Sequence, residues 1–246
     1  MSAPVVLITG GARRIGAATA RRLHAKGWRV LVHYRSSSAE AKQLAAELNA
    51  LRAESALTLA ADLTQPSELE ALAHSASHHW GRLDALINNA STFYPTPIGS
   101  ATEQQWDDLM GSNLKAPFFL AQHLAYALKK TSGAIINIAD IHADRPLKQH
   151  TLYCLAKAGN VMLTKSLARE LAPDVRVNGV APGAILWPED NATLDADAKA
   201  AIVDKIALKR AGAADDIART IDFLLTDAPY ITGQILAVDG GRTLSN

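Results

Sequence analysis

The chain has 246 residues, 48% of them hydrophobic but only 5% aromatic, with 25 Lys+Arg against 24 Asp+Glu and a single cysteine, Cys154. A chain of this length buries roughly 70–75% of its unfolded surface, so one α/β domain can stand without staples, and a lone cysteine excludes an internal disulfide framework. Balanced charge, no apolar run near the roughly 18 residues of a bilayer span, and an N-terminus without a basic leader argue against nucleic-acid or membrane partners, and a soluble cytoplasmic protein is expected.

In chain order, the first apolar run, Val5 to Thr9, enters Thr9-Gly10-Gly11-Ala12-Arg13-Arg14-Ile15-Gly16 and a stretch of helix formers from Arg14 to Lys26. A glycine-rich turn between strand and helix lets backbone approach a pyrophosphate, and the helix N-terminus offers N–H groups and positive dipole to it. The spacing departs from Gly-x-Gly-x-x-Gly: Arg14 stands where a middle glycine is expected, which directs a guanidinium toward the phosphates or the substrate. The second run, Arg29 to His33, ends in Tyr34-Arg35-Ser36-Ser37. A site for NAD places a carboxylate here to bind the ribose 2′-hydroxyl; Arg35 and serine hydroxyls favour the 2′-phosphate of NADPH instead.

Helical period covers Ala39 to Leu51 and Ser67 to Trp80, with a strand from Ser55 to Ala60 between them. His74, His78 and His79 share the second of these helices, but no third ligand is evident and a solvated face is expected; no metal is implied. Asp84 to Ile87 is the fourth strand. A broken helix from Glu103 to Lys130 follows, then a strand from Ala134 to Ile138, a helix from Thr151 to Leu171 and a strand from Val175 to Val180. The segment 184–212, with Trp187 and several acids, is expected to be a lid; a helix from Asp215 to Leu225 and a strand from Gln234 to Val238 close the chain. Seven apolar runs alternating with helices predict an α/β fold with a parallel sheet, the strands buried on both faces.

Several further motifs fall in a fixed order: Asp62, Asn88-Asn89-Ala90-Ser91, Asn113, Tyr153-Cys154-Leu155-Ala156-Lys157, Pro182-Gly183, Ile231-Thr232-Gly233 and Val238-Asp239-Gly240-Gly241. Together with the glycine turn they resemble the short-chain dehydrogenase/reductase family over essentially the whole chain. The resemblance implies a single domain, 1–246, with a Rossmann-type, doubly wound, seven-stranded parallel sheet and helices on both faces. It implies an NADPH site built from Gly10, Arg14, Ile15, Gly16, Tyr34, Arg35, Ser36, Asp62, Leu63, Asn89, Ala90, Ser91, Tyr153, Lys157, Pro182 and Gly183, with Asn113, Tyr153 and Lys157 in the catalytic set. Tyr153 and Lys157 lie one turn apart on one helix face, so the ammonium is expected to lower the phenol below its usual pKa of about 10 and ready Tyr153 as the proton donor.

Members of this family carry serine 13 residues before the tyrosine; here that position is Asp140. Asp140, the run Asn88-Asn89-Ala90-Ser91-Thr92-Phe93-Tyr94-Pro95-Thr96-Pro97 and Arg14 resemble the pteridine reductase branch. That resemblance implies a flat pterin or folate sandwiched between Phe93 and the nicotinamide, with Arg14, Ser91, Asp140, Tyr153 and Trp187 contributing to the substrate site. It also implies a homotetramer. By resemblance, Asp140 joins the catalytic set: an oxidised pterin takes hydride at C7 with N8 protonated by Tyr153, aided by Asp140, and a dihydropterin takes it at C6 with N5 protonated through a water near Arg14. Two alternatives stand beside this reading: a short-chain reductase of ketones or 3-oxoacyl thioesters, and a non-catalytic NADPH sensor.

Overall fold

The computed structural model describes residues 2–185 and 195–244. Seven parallel strands form one sheet in the order β3-β2-β1-β4-β5-β6-β7. The strands are β1 Val5–Ile8, β2 Arg29–Tyr34, β3 Ala56–Ala60, β4 Ala85–Asn88, β5 Ala134–Ile138, β6 Arg176–Pro182 and β7 Ile235–Val238. Their side chains alternate between two apolar layers, as period-2 geometry requires. Val6, Ile8, Val30, Val32, Ile87 and Ile136 pack against α1 (Arg14–Ala25), α2 (Ser38–Leu51) and α8 (Ala214–Thr226). On the other face Val5, Leu7, Leu31, Leu86, Ile135 and Val177 meet α3 (Pro66–His78), α5 (Ala116–Lys130) and α6 (Thr151–Leu171). This is the doubly wound α/β arrangement.

The central strands β1, β4 and β5 are buried throughout, but β3 and β7 are half-buried, because each lies at a sheet edge with a neighbour on one side. The broken helix resolves into α4 (Glu103–Met110), a π-helical turn at Gly111–Lys115 and α5. Thr102 opens α4 with a capping box completed by Gln105, and Pro117, early in α5, lacks the N–H that would reach the Asn113 carbonyl, which accepts from Asn160 Nδ2 instead. Trp187 and part of the expected lid lie outside the described residues, which break at 186–194; the remainder of the segment contains α7, Ala196–Asp204. Among the described residues no helix is long and apolar enough to cross a membrane. His74, His78 and His79 lie exposed along α3, with the His74 and His78 rings stacked at 4.2 Å, and no group of three potential metal ligands is found among the described residues.

Arg176 closes α8 from across the sheet. Its Nη1 donates to the carbonyls of Leu224 (2.7 Å) and Ala228 (3.1 Å), and its Nη2 to Leu225 (3.1 Å). These are carbonyls at a helix C-terminus, which have no intrahelical donor. Arg176→Met is therefore expected to cost about 2–3 kcal/mol of stability, read as a lower midpoint of urea unfolding at unchanged slope.

Candidate active site

All strands run in one direction, so their carboxyl ends share one edge, and the chain reverses its order across the sheet between β1 and β4. Ligands of open α/β sheets bind in the crevice that such a reversal leaves. Here the crevice is a cavity of about 410 Å³. Its wall contains the glycine turn with Gly10, Arg14, Ile15 and Gly16, the end of β2 with Tyr34, Arg35 and Ser36, the end of β3 with Asp62 and Leu63, and the end of β4 with Asn89, Ala90 and Ser91. Pro182, Gly183, Tyr153 and Lys157 stand outside this wall, the first two at the end of β6 and the others on α6.

Gly10 has φ +59°, and a Cβ there would come within 3.0 Å of the Ala90 Cα. A Cβ on Gly16 would lie 2.4 Å from the Gly10 carbonyl oxygen, so the first turn of α1 packs directly on the glycine turn. Helix α1 opens with no side-chain cap and no acidic residue in its first turn, which leaves the chemistry of its N-terminus suited to an anion. The turn, the helix end and the guanidinium of Arg35 fit a phosphorylated dinucleotide. Asp62 sits beside them. Burial opposes its ionisation, but the Thr64 N–H (2.9 Å) and hydroxyl (2.7 Å) on Oδ1 and the nearby charge of Arg35 hold it below the usual carboxylate range.

Tyr153 is buried at the start of α6 and donates to Asp140 Oδ2 at 2.7 Å. Asp140, two residues beyond β5, lies in extended backbone and accepts the His142 N–H on Oδ1 at 2.8 Å, capping a 3₁₀ turn at Ile141–Ala143. One carboxylate thus serves both a structural cap and the tyrosine. Lys157, one turn further along α6, donates to the Ile138 carbonyl at 2.8 Å, with its Nζ 5.6 Å from the Tyr153 ring centre. Burial pushes its ammonium down to about 8, against the opposing pull of Asp140. The expected lowering of the tyrosine is reversed: burial and the Asp140 carboxylate push the Tyr153 phenol well above 10. Lys157 directs its charge at a backbone carbonyl, and Asp140 is the ionisable group in contact with the phenol, so the tyrosine is held firmly in its protonated form.

Asn113 lies on the π-helical turn, a geometry that re-aims the carbonyls of one helical turn. Its main-chain oxygen accepts from Asn160 Nδ2 (3.0 Å), its Oδ1 accepts from the Ser91 hydroxyl (2.6 Å), and its Nδ2 donates to the Thr92 carbonyl (3.0 Å). Asn113 therefore ties the loop after β4 to α6. Phe93 on that loop is 52% exposed, stacked on His150 at 4.7 Å and edge-on to Tyr153 at 4.8 Å. Tyr94 turns inward to Asp108 Oδ2 at 3.0 Å; burial first, then that carboxylate, pushes its phenol up to about 12. Cys154 is buried and its Sγ accepts the Leu147 N–H at 3.3 Å, a packing role. His33, which the sequence placed only within the cofactor segment His33-Tyr34-Arg35-Ser36-Ser37, is buried in the cavity wall, and His150, to which no motif pointed, is the N-cap residue of α6, three residues before Tyr153.

A family model described as "Enoyl-(Acyl carrier protein) reductase" matches residues 10–243, and the chain belongs to the short-chain dehydrogenase/reductase family, whose members are oxidoreductases using NAD(P)H. It is 38% identical to "Pteridine reductase 1" of Leishmania tarentolae, over 99% of this chain and 98% of that protein. It is also 37% identical to the "3-oxoacyl-[acyl-carrier-protein] reductase FabG" of Staphylococcus epidermidis, over 96% of this chain and 97% of that one, and to the FabG of Staphylococcus aureus over 96% of each.

Arg14, which replaces a glycine of the turn, has φ +52°. A side-chain-bearing residue in the left-handed region costs about 1–2 kcal/mol. Arg14→Gly is expected to raise the melting temperature by roughly 2–4 °C while weakening dinucleotide binding, a stability gain set against a functional loss. Calorimetry of the two proteins with and without cofactor measures both effects.

Proposed function

We propose that the protein is an NADPH-dependent reductase of pterins, acting on dihydropterins, dihydrofolate or oxidised pterins. The observation that carries this reading is the 2.7 Å hydrogen bond from Tyr153 to Asp140 in place of a serine hydroxyl. A carboxylate suits a flat heterocycle that presents N–H donors, and it suits a relay for ring-nitrogen protonation. It does not suit a plain ketone oxygen, which needs a donor. Phe93, exposed beside Tyr153, adds an aromatic wall for such a ring.

In this reading Gly10, Ile15, Gly16, Asn89, Ala90 and Ser91 hold the dinucleotide backbone, with Asp62 and Leu63 beside its adenine end and Pro182 and Gly183 near the nicotinamide. Tyr34, Arg35 and Ser36 hold the 2′-phosphate, and Arg14 holds the pyrophosphate from the substrate side. Bound NADPH supplies the hydride. The Tyr153 hydroxyl gives its proton to the pyrazine nitrogen next to the carbon being reduced. Holding the phenol protonated throughout the working pH range means the proton is present at each turnover. The Lys157 ammonium, set below the tyrosine on α6, offsets the charge of the phenolate that forms; Asp140 orients the hydroxyl and relays to it the solvent proton that restores the phenol. Asn113 fixes the loop that carries Ser91 and Phe93 against the same helix.

The exposed Phe118, Tyr126, Leu155 and Met162 of α5 and α6 suit a subunit interface, so a homotetramer belongs to the same proposal, as does residence in the cytoplasm. The 37% identity to 3-oxoacyl reductases favours a second reading, reduction of a 3-oxoacyl thioester at the same tyrosine.

Consumption of NADPH on dihydrobiopterin, dihydrofolate and a β-keto ester, followed in parallel, tests the choice. Turnover on the pterins and none on the ester is expected; Asp140→Ser is expected to lose at least about tenfold in pterin kcat/KM, the loss of one charge-assisted contact in the transition state. Equal turnover on the ester overturns the pterin reading, and turnover on none of the three supports a sensor.

The pH profile carries a separate expectation. Tyr153 titrates well above 10, so an alkaline limb near pH 8 belongs to Lys157, whose charge is lost as pH rises through about 8. The Asp140 carboxylate raises the Lys157 value, so Asp140→Asn is expected to move that limb to lower pH.

A further inference from the structure

We infer that His33 is a positioning residue for the dinucleotide: its imidazole holds the glycine turn in its binding conformation and sets affinity for the part common to NADPH and NADH. The inference rests on the reading above that this cavity takes a nicotinamide dinucleotide.

His33 is the fifth residue of β2, buried at 2% exposure, and it touches three strand ends at once. Its Nδ1 accepts the Gly10 N–H at 3.1 Å, its Nε2 bonds the Ala61 carbonyl at 3.0 Å just after β3, and its own carbonyl accepts the Gly11 N–H at 2.8 Å. Two consecutive amides of the glycine turn therefore dock on one residue. A backbone amide can only donate and a carbonyl can only accept. Nε2 must carry the proton and Nδ1 must be bare, which defines one neutral tautomer. Burial, the largest influence, pushes the imidazole below its ordinary value, in keeping with that form.

The turn needs this support. Gly10 is left-handed, and the Cβ positions of Gly10 and Gly16 are already filled by Ala90 and by the Gly10 carbonyl. At these two positions the turn has no side chain with which to lock its path. His33 supplies the lock from the neighbouring strand. It acts on the turn, whereas Arg35, two residues on, acts on the 2′-phosphate, and the two effects separate by cofactor.

An amide side chain reproduces one half of the imidazole at a time. In His33→Asn the shorter amide places an acceptor at the Nδ1 position, and in His33→Gln the longer amide places a donor at the Nε2 position. Calorimetric titration with NADPH and with NADH measures the wild type, His33→Gln, His33→Asn and Arg35→Asp, with a melting temperature recorded for each without ligand. His33→Gln, which keeps the bond to Ala61 and loses the bond to Gly10, is expected to weaken both dinucleotides by the same factor, roughly tenfold. His33→Asn is expected to bind both within about twofold of wild type, since one hydrogen bond distant from the turn is lost. Arg35→Asp is expected to weaken NADPH and spare NADH. A folded His33→Asn protein as weak as His33→Gln, or a His33→Gln protein that binds like wild type, overturns the inference. The Asn arm decides alone if the Gln variant does not fold. A wild type that binds neither dinucleotide overturns the cofactor reading on which the inference stands.

Discussion

The site depends on a clamp between the ends of β1 and β4. Thr9 Oγ1 accepts the N–H groups of Asn89 (2.9 Å) and Ala90 (3.0 Å), while Asn89 Nδ2 donates to the carbonyls of Thr9 and Gly10, both at 2.9 Å. These are backbone groups that leave the sheet just where its ladder ends, and buried polar groups without partners cost about 1–3 kcal/mol each. Satisfying them through one threonine and one asparagine holds the two loops together across the crevice. The glycine turn on one side and the loop carrying Ser91 and Phe93 on the other therefore share a fixed spacing. Everything proposed for dinucleotide and substrate is measured from that spacing.

A second polar chain anchors α6, the helix that carries Tyr153 and Lys157, to the same edge. Asn88 Nδ2 donates to Asn137 Oδ1 (2.8 Å), Asn137 Nδ2 to Thr164 (2.9 Å), and Thr164 to the Asn160 carbonyl (2.9 Å), all buried. Asn160 then reaches the Asn113 carbonyl. The chain links β4, β5, α6 and the π-helical turn, so Tyr153 and Lys157 are positioned relative to the strands by hydrogen bonds as well as by apolar packing. Such a network is directional, which apolar contacts are not, and direction is what a proton donor requires.

The strands and helices were legible because each carries its own period: β5 lies at Ala134–Ile138 as read, and the other strand ends fall within two residues. The glycine turn, Asp140, Tyr153 and Lys157 were legible as motifs. What the sequence did not convey is which groups touch. Tyr153 and Lys157 sit on one helix face, yet sharing a face did not determine which ionisable neighbour sets the phenol. That depended on β5 delivering Asp140 into contact with Tyr153, a pairing of residues 13 apart in sequence. The contacts of His33 were not legible for a related reason. A histidine ending a buried strand reads as packing, and its partners, Gly10 and Ala61, lie 23 and 28 residues away on neighbouring strand ends.

The aromatic residues show how a loop can be made firm enough to form a binding wall. Phe93 follows a strand end, where an exposed ring would ordinarily swing. Three contacts restrain its loop: Tyr94 is anchored to Asp108, the Thr96 N–H donates to the Gln149 carbonyl at 2.6 Å, and Asn113 holds the Thr92 carbonyl. The loop is thereby stitched to α4, to the π-helical turn and to the segment that enters α6. Because Gln149 adjoins His150, the tether also sets the ring on which Phe93 stacks, and Tyr153 follows one helical turn later. A displacement of this loop therefore moves the aromatic wall and strains its contacts to the helix that carries Tyr153. In the proposed reaction this couples the substrate slot mechanically to the acid, as protonation of a ring in one orientation demands.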